Sequence, residues 1–339
     1  MTQDDAQLFL EEFTGSTAQQ FFALAQSGSS RQNFVAQSAG IKYVITANEN
    51  LAENESFFYF SELFSRLQLN TPQILAIAPD RKFYIQQHLG DQTLSEIIDR
   101  EGLTERTRAL VKSVLEKLYL LQSRTLTNVD YSYTFEYESY DELPITNDLF
   151  YFKSFIADVL EIPYHKSTLL QEFKKIVSRL ENLKPQSLIL RDFQARNIMV
   201  NDSDEVYFID YQAAMRGPLM YDVVSFLFQA KANFPGDFRN EMLSYYFSFW
   251  KDDVTVTDLQ NSLKPLQLIR YMQVLGAYGF RGLVQKKAHF RKSLNQGITN
   301  LYNFSNSWDE MREFPELQKI ISELNTEQTG IKIKEILNG

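Results

Sequence analysis

Asp192, Asn197 and Asp210 are the residues of this 339-residue chain whose types and spacing could do chemistry together. They lie in LRDFQARNIMV, Leu190 to Val200, and in VYFID, Val206 to Asp210. IMV and VYFID read as two short strands, and NDSDE between them is a strong turn signal. Paired antiparallel across that turn, Val200 meets Val206 and Ile198 meets Phe208. Asn197 then falls beside Ile209 and Asp210 at the open end, with Asp192 five residues upstream. One amide and two carboxylates converge there. Hard oxygen ligands of this kind suit Mg²⁺, which fills the rest of its shell with water and phosphate oxygens. The spacing matches the phosphoryl-transfer template: a loop Asp takes the proton of the attacking hydroxyl, an Asn five residues on holds metal, and a second Asp holds metal after the next strand pair. Asp and Asn beside a hairpin are also ordinary turn caps, and spacing alone does not separate the two uses.

Other elements must position that hairpin. Before residue 90 the chain alternates short strand-like runs with one helix. FFALAQ (Phe21–Gln26) and NFVAQ (Asn33–Gln37) flank the polar turn SGSSRQ, KYVITA (Lys42–Ala47) is a β-branched run, and FYIQQHL (Phe83–Leu89) closes on Gly90 and Asp91. Phe57, Phe60, Leu63, Phe64 and Leu67 recur at helical spacing. Beyond that point helices dominate. Thr104 is placed to cap a helix whose Val111, Val114, Leu115, Leu118 and Leu121 share one face, and LFYFKSFIADVL and STLLQEFKKIVSRLENL repeat the helical period. The expectation is an α+β chain: a small β-rich nucleotide-binding lobe over residues 1–90, a larger, mainly helical catalytic and acceptor-binding lobe over 91–339, and a hinge near His88–Asp91.

Composition narrows the chemistry. A net charge of −9 argues against non-specific binding to nucleic acid or anionic membranes and leaves small molecules and proteins as partners. With no cysteine, thiol nucleophiles, disulfides, iron–sulfur clusters and thiolate zinc sites are excluded. His88, His165 and His289 are too scattered for a histidine zinc site. The acidic, amphipathic start lacks the order of a signal peptide and no run approaches 18 apolar residues, so a soluble cytoplasmic protein is expected.

The block LRDFQARNIMV…VYFIDYQAAMRGPLMYDVVSFLF resembles the aminoglycoside phosphotransferase/choline kinase family, small-molecule kinases with a protein-kinase-like two-lobe fold. More narrowly it is similar to the bacterial branch related to N-acetylmuramate/N-acetylglucosamine anomeric kinases, whose text runs H-R-D-F-x-x-R-N and then I-D-(F/Y)-Q-x-x-x-x-G-P-x-x-Y-D. ENESFFYF, QHLGDQTL and RYMQVLGAYGFRG look similar to further segments of that branch. The resemblance implies Asp192 as catalytic base, Asn197 and Asp210 as Mg²⁺ ligands, and Asp222, opening a helix after GPLMY, bracing the catalytic loop. It also implies ATP phosphates under the turn at Ser27, Gly28 and Ser29, and adenine held at Gln87, His88 and Leu89. No GxxxxGK(S/T) occurs, which argues against a P-loop.

Two positions depart from the family pattern. Leu190 stands where the family has a histidine; it reads as a core replacement that leaves Asp192 competent, against the rival of a degraded site. The lysine that grips the α- and β-phosphates from the third strand has only Lys42 as a candidate, with Glu55 as its helix glutamate. Arg196 is placed either to stabilise the transferring phosphoryl group or to brace its loop, and Arg270 and Arg281, flanking LGAYGF, read either as residues near the acceptor cleft or, the favoured reading, as helix-surface residues. The resemblance implies an ATP- and Mg²⁺-dependent kinase acting on a hydroxyl of a small polar metabolite, a sugar or amino sugar. The alternative is a nucleotide-binding pseudokinase with a regulatory or scaffolding role.

Overall fold

The computed structural model describes residues 3–24, 31–287 and 290–338. In chain order the elements are α1 (Gln3–Thr14), β1 (Gln20–Ala23), β2 (Gln32–Ser38), β3 (Ile41–Ala47), α2 (Leu51–Arg66), β4 (Ile74–Ile77), β5 (Phe83–Gln87), β6 (Gln92–Thr93), α3 (Leu94–Glu101) and α4 (Glu105–Arg124). Then follow α5 (Glu142–Phe152), α6 (Lys166–Glu181), β7 (Gln186–Ile189), β8 (Ile198–Val200), β9 (Val206–Phe208), β10 (Met215–Pro218), α7 (Met220–Leu227) and α8 (Gly236–Phe247). The chain ends with α9 (Asp253–Tyr278), α10 (Phe290–Ser307), α11 (Pro315–Leu324) and α12 (Glu327–Asn338). Two compact units result, one of residues 1–138 with 190–215 and the other of 139–189 with 216–339.

The first unit is built on a five-stranded antiparallel sheet in the order β1-β2-β3-β5-β4. Alternation sets its faces: Phe34, Ala36, Tyr43, Ile45 and Ile85 join Ala6 and Leu10 of α1 in one buried cluster. Helix α2 begins where Asn50 accepts the N–H of Glu53, and its periodic Phe57, Phe60, Leu63 and Phe64 are buried. Thr104 caps α4 by accepting from the N–H of Thr107, and the face from Val111 to Leu121 is buried as its spacing predicts.

A division at residue 90 does not follow these units. Gln92 and Thr93 of β6 pair with Val200 and Met199 of β8, so the segment 190–215 packs with the N-terminal part of the chain. Gly90 allows that approach: at φ 121°, a Cβ there would stand 2.6 Å from the carbonyl oxygen of Val200.

The second unit is helical apart from the β7–β10 pair. Helices α5 and α9 each run on into a π-helical turn, Lys153–Asp158 and Gly279–Val284. Glycine lets these two elements meet, since a Cβ at Gly279 would fall 2.1 Å from the carbonyl oxygen of Phe155. Arg270 is 4% exposed and so is not the surface residue its helical position suggests. Its Nη1 donates to Tyr221 Oη at 2.8 Å and to Gln273 Oε1 at 2.7 Å. Asp222, in α7, is fully buried. Among the described residues no helix is long and apolar enough to cross a membrane.

Candidate active site

The hairpin forms in the register its sequence sets: Ile198 opposite Phe208, Met199 opposite Tyr207, Val200 opposite Val206. Beyond the last pair, the Ile209 N–H donates to the Asn197 carbonyl at 3.0 Å. Asn197 Nδ2 then reaches Asp210 Oδ2 at 3.2 Å and the Asp192 carbonyl at 2.9 Å. One amide thereby ties the two carboxylate-bearing segments together. The loop is anchored from below by Phe193, 2% exposed, whose ring meets Phe208 edge-on at 4.8 Å.

Backbone strain marks both ends of this arrangement. The Asp192 N–H donates to the Leu190 carbonyl at 2.9 Å across Arg191, which is held at φ 69°. A three-residue turn with positive φ at a non-glycine residue costs about 1–3 kcal/mol and persists only where surrounding packing imposes it. Asp210 is also at positive φ, 65°. Leu190 itself is 2% exposed, so its side chain is a core anchor while its carbonyl shapes the turn.

Asp210 stands in a cationic setting. Arg31 Nη2 donates to its Oδ1, Gln212 Nε2 donates to the same oxygen at 3.2 Å, and Arg31 Nε lies 3.4 Å from Glu53 Oε1. Burial pushes the Asp210 carboxyl upward, but Arg31, with smaller help from Gln212 and Arg196, holds it below the usual carboxylate range. Helix α2 grips the same region: Ser56 Oγ donates to the Gln212 carbonyl at 2.8 Å, Ser61 Oγ lies 2.7 Å from Tyr211 Oη, and Phe57 stacks on Tyr211 at 4.9 Å.

The site residues read from sequence separate into groups. Asp192, Asn197 and Asp210 come together, with Arg196 exposed on the same loop. Lys42 and Glu55 do not join them. Lys42 pairs with Asp91 at 2.8 Å and is 42% exposed; Glu55 pairs with Arg81 and is 46% exposed. The helix phase explains Glu55: it is two residues from Glu53, on the outward side of the Phe57–Phe60–Phe64 face, whereas Glu53 is four before Phe57 and turns inward. That phase was available in the sequence and picks out Glu53. Gln87 ends β5 with its N–H given to the Gln73 carbonyl at 2.9 Å, and Leu89 is buried. His88 follows it, its imidazole pushed below its usual pKa by burial against the pull of Asp91. Ser27, Gly28 and Ser29 lie outside the described residues. Arg31 carried no sequence signal, whereas Gln212 stood in the family text I-D-(F/Y)-Q with no role attached to it.

The donor set fits a hard divalent cation. Asp210 offers a carboxylate, and Asn197, whose amide nitrogen is committed to two acceptors, turns its Oδ1 away from them. Among the described residues no group of three or more His, Cys, Asp or Glu could hold a metal by itself, so a cation here needs further oxygens from a ligand.

The profile of the phosphotransferase enzyme family (APH) matches residues 23–258. The chain belongs to this family. N-acetylmuramate/N-acetylglucosamine kinase of Pseudomonas aeruginosa is 22% identical over 283 residues, covering 80% of each chain. Among solved structures, choline kinase LicA from Streptococcus pneumoniae superposes with a TM-score of 0.61 at 11% identity, covering 89% of this chain and 99% of that one. A thermostable mutant of aminoglycoside phosphotransferase APH(4)-Ia, in a ternary complex with ADP and hygromycin B, gives 0.58 at 16% identity, covering 90% and 99%. The fold is therefore α+β and protein-kinase-like, with a small β-rich lobe and a larger helical one, and the chain is an enzyme of the phosphotransferase class.

Proposed function

We propose that this enzyme is a kinase that uses ATP and Mg²⁺ to phosphorylate a hydroxyl of a small polar metabolite, a sugar or amino sugar. The observation that carries the reading is the Asn197 amide joining the Asp192 and Asp210 segments at one end of a hairpin in fixed register. The curated relative that acts on N-acetylmuramate and N-acetylglucosamine supports the acceptor class. The ADP complex of the aminoglycoside phosphotransferase supports nucleotide use.

In this reading Asp192 accepts the proton of the acceptor hydroxyl. Among the described residues its carboxylate meets no hydrogen-bond donor, so it is free to do so. A positioned base contributes about 10²–10⁴-fold. Asn197 Oδ1 and Asp210 would hold Mg²⁺. Bound there, Mg²⁺ would neutralise charge on the β- and γ-phosphates. The γ-turn at Arg191 fixes the approach of Asp192, and Arg196, exposed on the loop, is positioned for the transferring phosphoryl group. His88 and Leu89, beyond the last sheet hydrogen bond of Gln87, are the backbone available to a purine.

A second reading, a nucleotide-binding protein without turnover, is favoured by the displacement of Lys42 onto Asp91. One experiment separates them: ATP consumption over a panel of sugars, amino sugars and amino alcohols, with the product located by phosphorus NMR. Phosphorylated N-acetylmuramate or N-acetylglucosamine supports the kinase. Stabilisation by ATP and Mg²⁺ with no turnover on any acceptor supports the second reading.

A further inference from the structure

The strand lysine and helix glutamate expected from the sequence are engaged elsewhere, yet the site contains a deeply placed cation. Arg31 directly precedes β2, and its side chain is only 13% exposed. It spans Glu53 and Asp210, two carboxylates from different parts of the unit. A guanidinium this far from water requires anionic partners. Glu53 is built to be one. Asn48 Nδ2 donates to its Oε2 at 2.9 Å, and its place in the first turn of α2 favours negative charge. Tyr84 is 1% exposed, and the Arg31 charge opposes the rise that burial imposes on its hydroxyl.

Register keeps Lys42 away from this position. The β2–β3 pairing sets Gln32 opposite Ala47 and Gln37 opposite Lys42, so Arg31 and Lys42 stand at opposite ends of the hairpin. Five steps of strand separate Lys42 from Ala47, roughly 16 Å. A lysine side chain does not cover that distance, and Lys42 already forms two hydrogen bonds with Asp91, at 2.8 and 2.9 Å.

We infer that Arg31 is the polyphosphate-binding cation of this enzyme, anchored by Glu53 and resting on Asp210 until nucleotide arrives. The inference rests on the kinase reading above. Two carboxylates around one guanidinium leave the cluster negative, as a metal–nucleotide site should be before loading. When Asp210 is engaged by the metal–nucleotide complex, Arg31 keeps Glu53 and needs a second anion. A planar guanidinium takes two phosphate oxygens side by side, which an ammonium cannot. The chain thus has a phosphate grip on the entry to β2 where its third strand offers none.

The test is calorimetric titration of adenosine, AMP, ADP and ATP, each with Mg²⁺, into wild type, Arg31→Gln, Arg31→Lys and Lys42→Ala. Arg31→Gln should lose about 10- to 100-fold in affinity for ADP and ATP while adenosine binding stays within about twofold, and Arg31→Lys should recover part of the loss. Taking the ATP-to-adenosine ratio on one preparation cancels any unfolded fraction. The inference is overturned if Arg31→Gln binds ATP like wild type, if it weakens adenosine and ATP in equal proportion, or if Lys42→Ala loses as much. A wild type that binds none of the four nucleotides overturns the kinase reading and this inference with it.

Discussion

Asn197 and Asp210 clasp each other at the open end of the hairpin: the Asn197 amide donates to Asp210 Oδ2 at 3.2 Å, and its backbone carbonyl accepts from Ile209 at 3.0 Å. Both partners of the amide nitrogen, Asp210 Oδ2 and the Asp192 carbonyl, are acceptors, which fixes the orientation of the side chain. A neutral amide can bridge two acceptors in this way, and a carboxylate cannot. Asparagine at 197 thereby serves the hairpin itself, whatever its part in the proposed metal site.

Asp192→Asn removes the proposed base and leaves that clasp intact, because the contact to Asn197 uses the Asp192 backbone carbonyl. Turnover should fall by about 10²–10⁴-fold with little change in ATP affinity. Steady-state kinetics on the phosphorylated acceptor, together with calorimetry of ATP binding, checks this. A kcat within about threefold of wild type would remove Asp192 from the role of base.

Acid unfolding should report the Arg31–Asp210 pair. Arg31 holds the Asp210 carboxyl below its ordinary value of 3.8, so the folded pKa lies under the unfolded one. A depressed carboxylate contributes its stability in full above the unfolded value and loses it as pH falls through the folded value. The unfolded state is common to wild type and Arg31→Gln, so the stability gap should shrink as pH falls through the variant's Asp210 value, which burial without Arg31 lifts above the ordinary one, and level off below the depressed wild-type value. Urea unfolding from pH 3 to pH 7 measures it, and a gap that widens toward low pH contradicts the pairing.

The hairpin was legible because strand pairing is local: a five-residue turn fixes the register, and register fixes which side chains meet. The amphipathic face of α2 was legible for the same reason, and its phase singles out Glu53 over Glu55 once the face is drawn through Phe57 and Phe60. Arg31 was not. Its partners lie 22 and 179 positions away, and nothing in SGSSRQ distinguishes an arginine that turns inward from one in solvent. The association of residues 190–215 with the N-terminal part was equally hidden, since it depends on the two-residue strand β6 meeting β8. Arg270 misled because one polar residue on a helix reads as surface until the packing around Tyr221 is known.

Gly279→Ala and Gly330→Ala should move stability in opposite directions. A methyl at Gly279 meets the Phe155 carbonyl oxygen at 2.1 Å, backbone that can yield only by shifting one π-helical turn against the other. A loss of about 1–3 kcal/mol or more follows. Gly330 lies within α12 with nothing inside 4 Å of a Cβ, so alanine there should add about 0.5–1 kcal/mol through helix propensity. Urea midpoints of the two variants decide; a stable Gly279→Ala would mean these elements do not pack as closely as the structure has them.

Leu190→His restores the residue the family pattern has and should not improve the enzyme. The contribution of Leu190 to the loop is its carbonyl, which accepts from Asp192 across the strained Arg191, and any residue supplies a carbonyl. Its side chain, 2% exposed, belongs to the core. An imidazole there gives up apolar packing and buries polar nitrogens, a loss of about 1–3 kcal/mol. The expected result is a lower thermal midpoint with kcat no higher than wild type, measured at a temperature where both proteins are folded. A tenfold or greater rise in kcat would show instead that the leucine impairs the site.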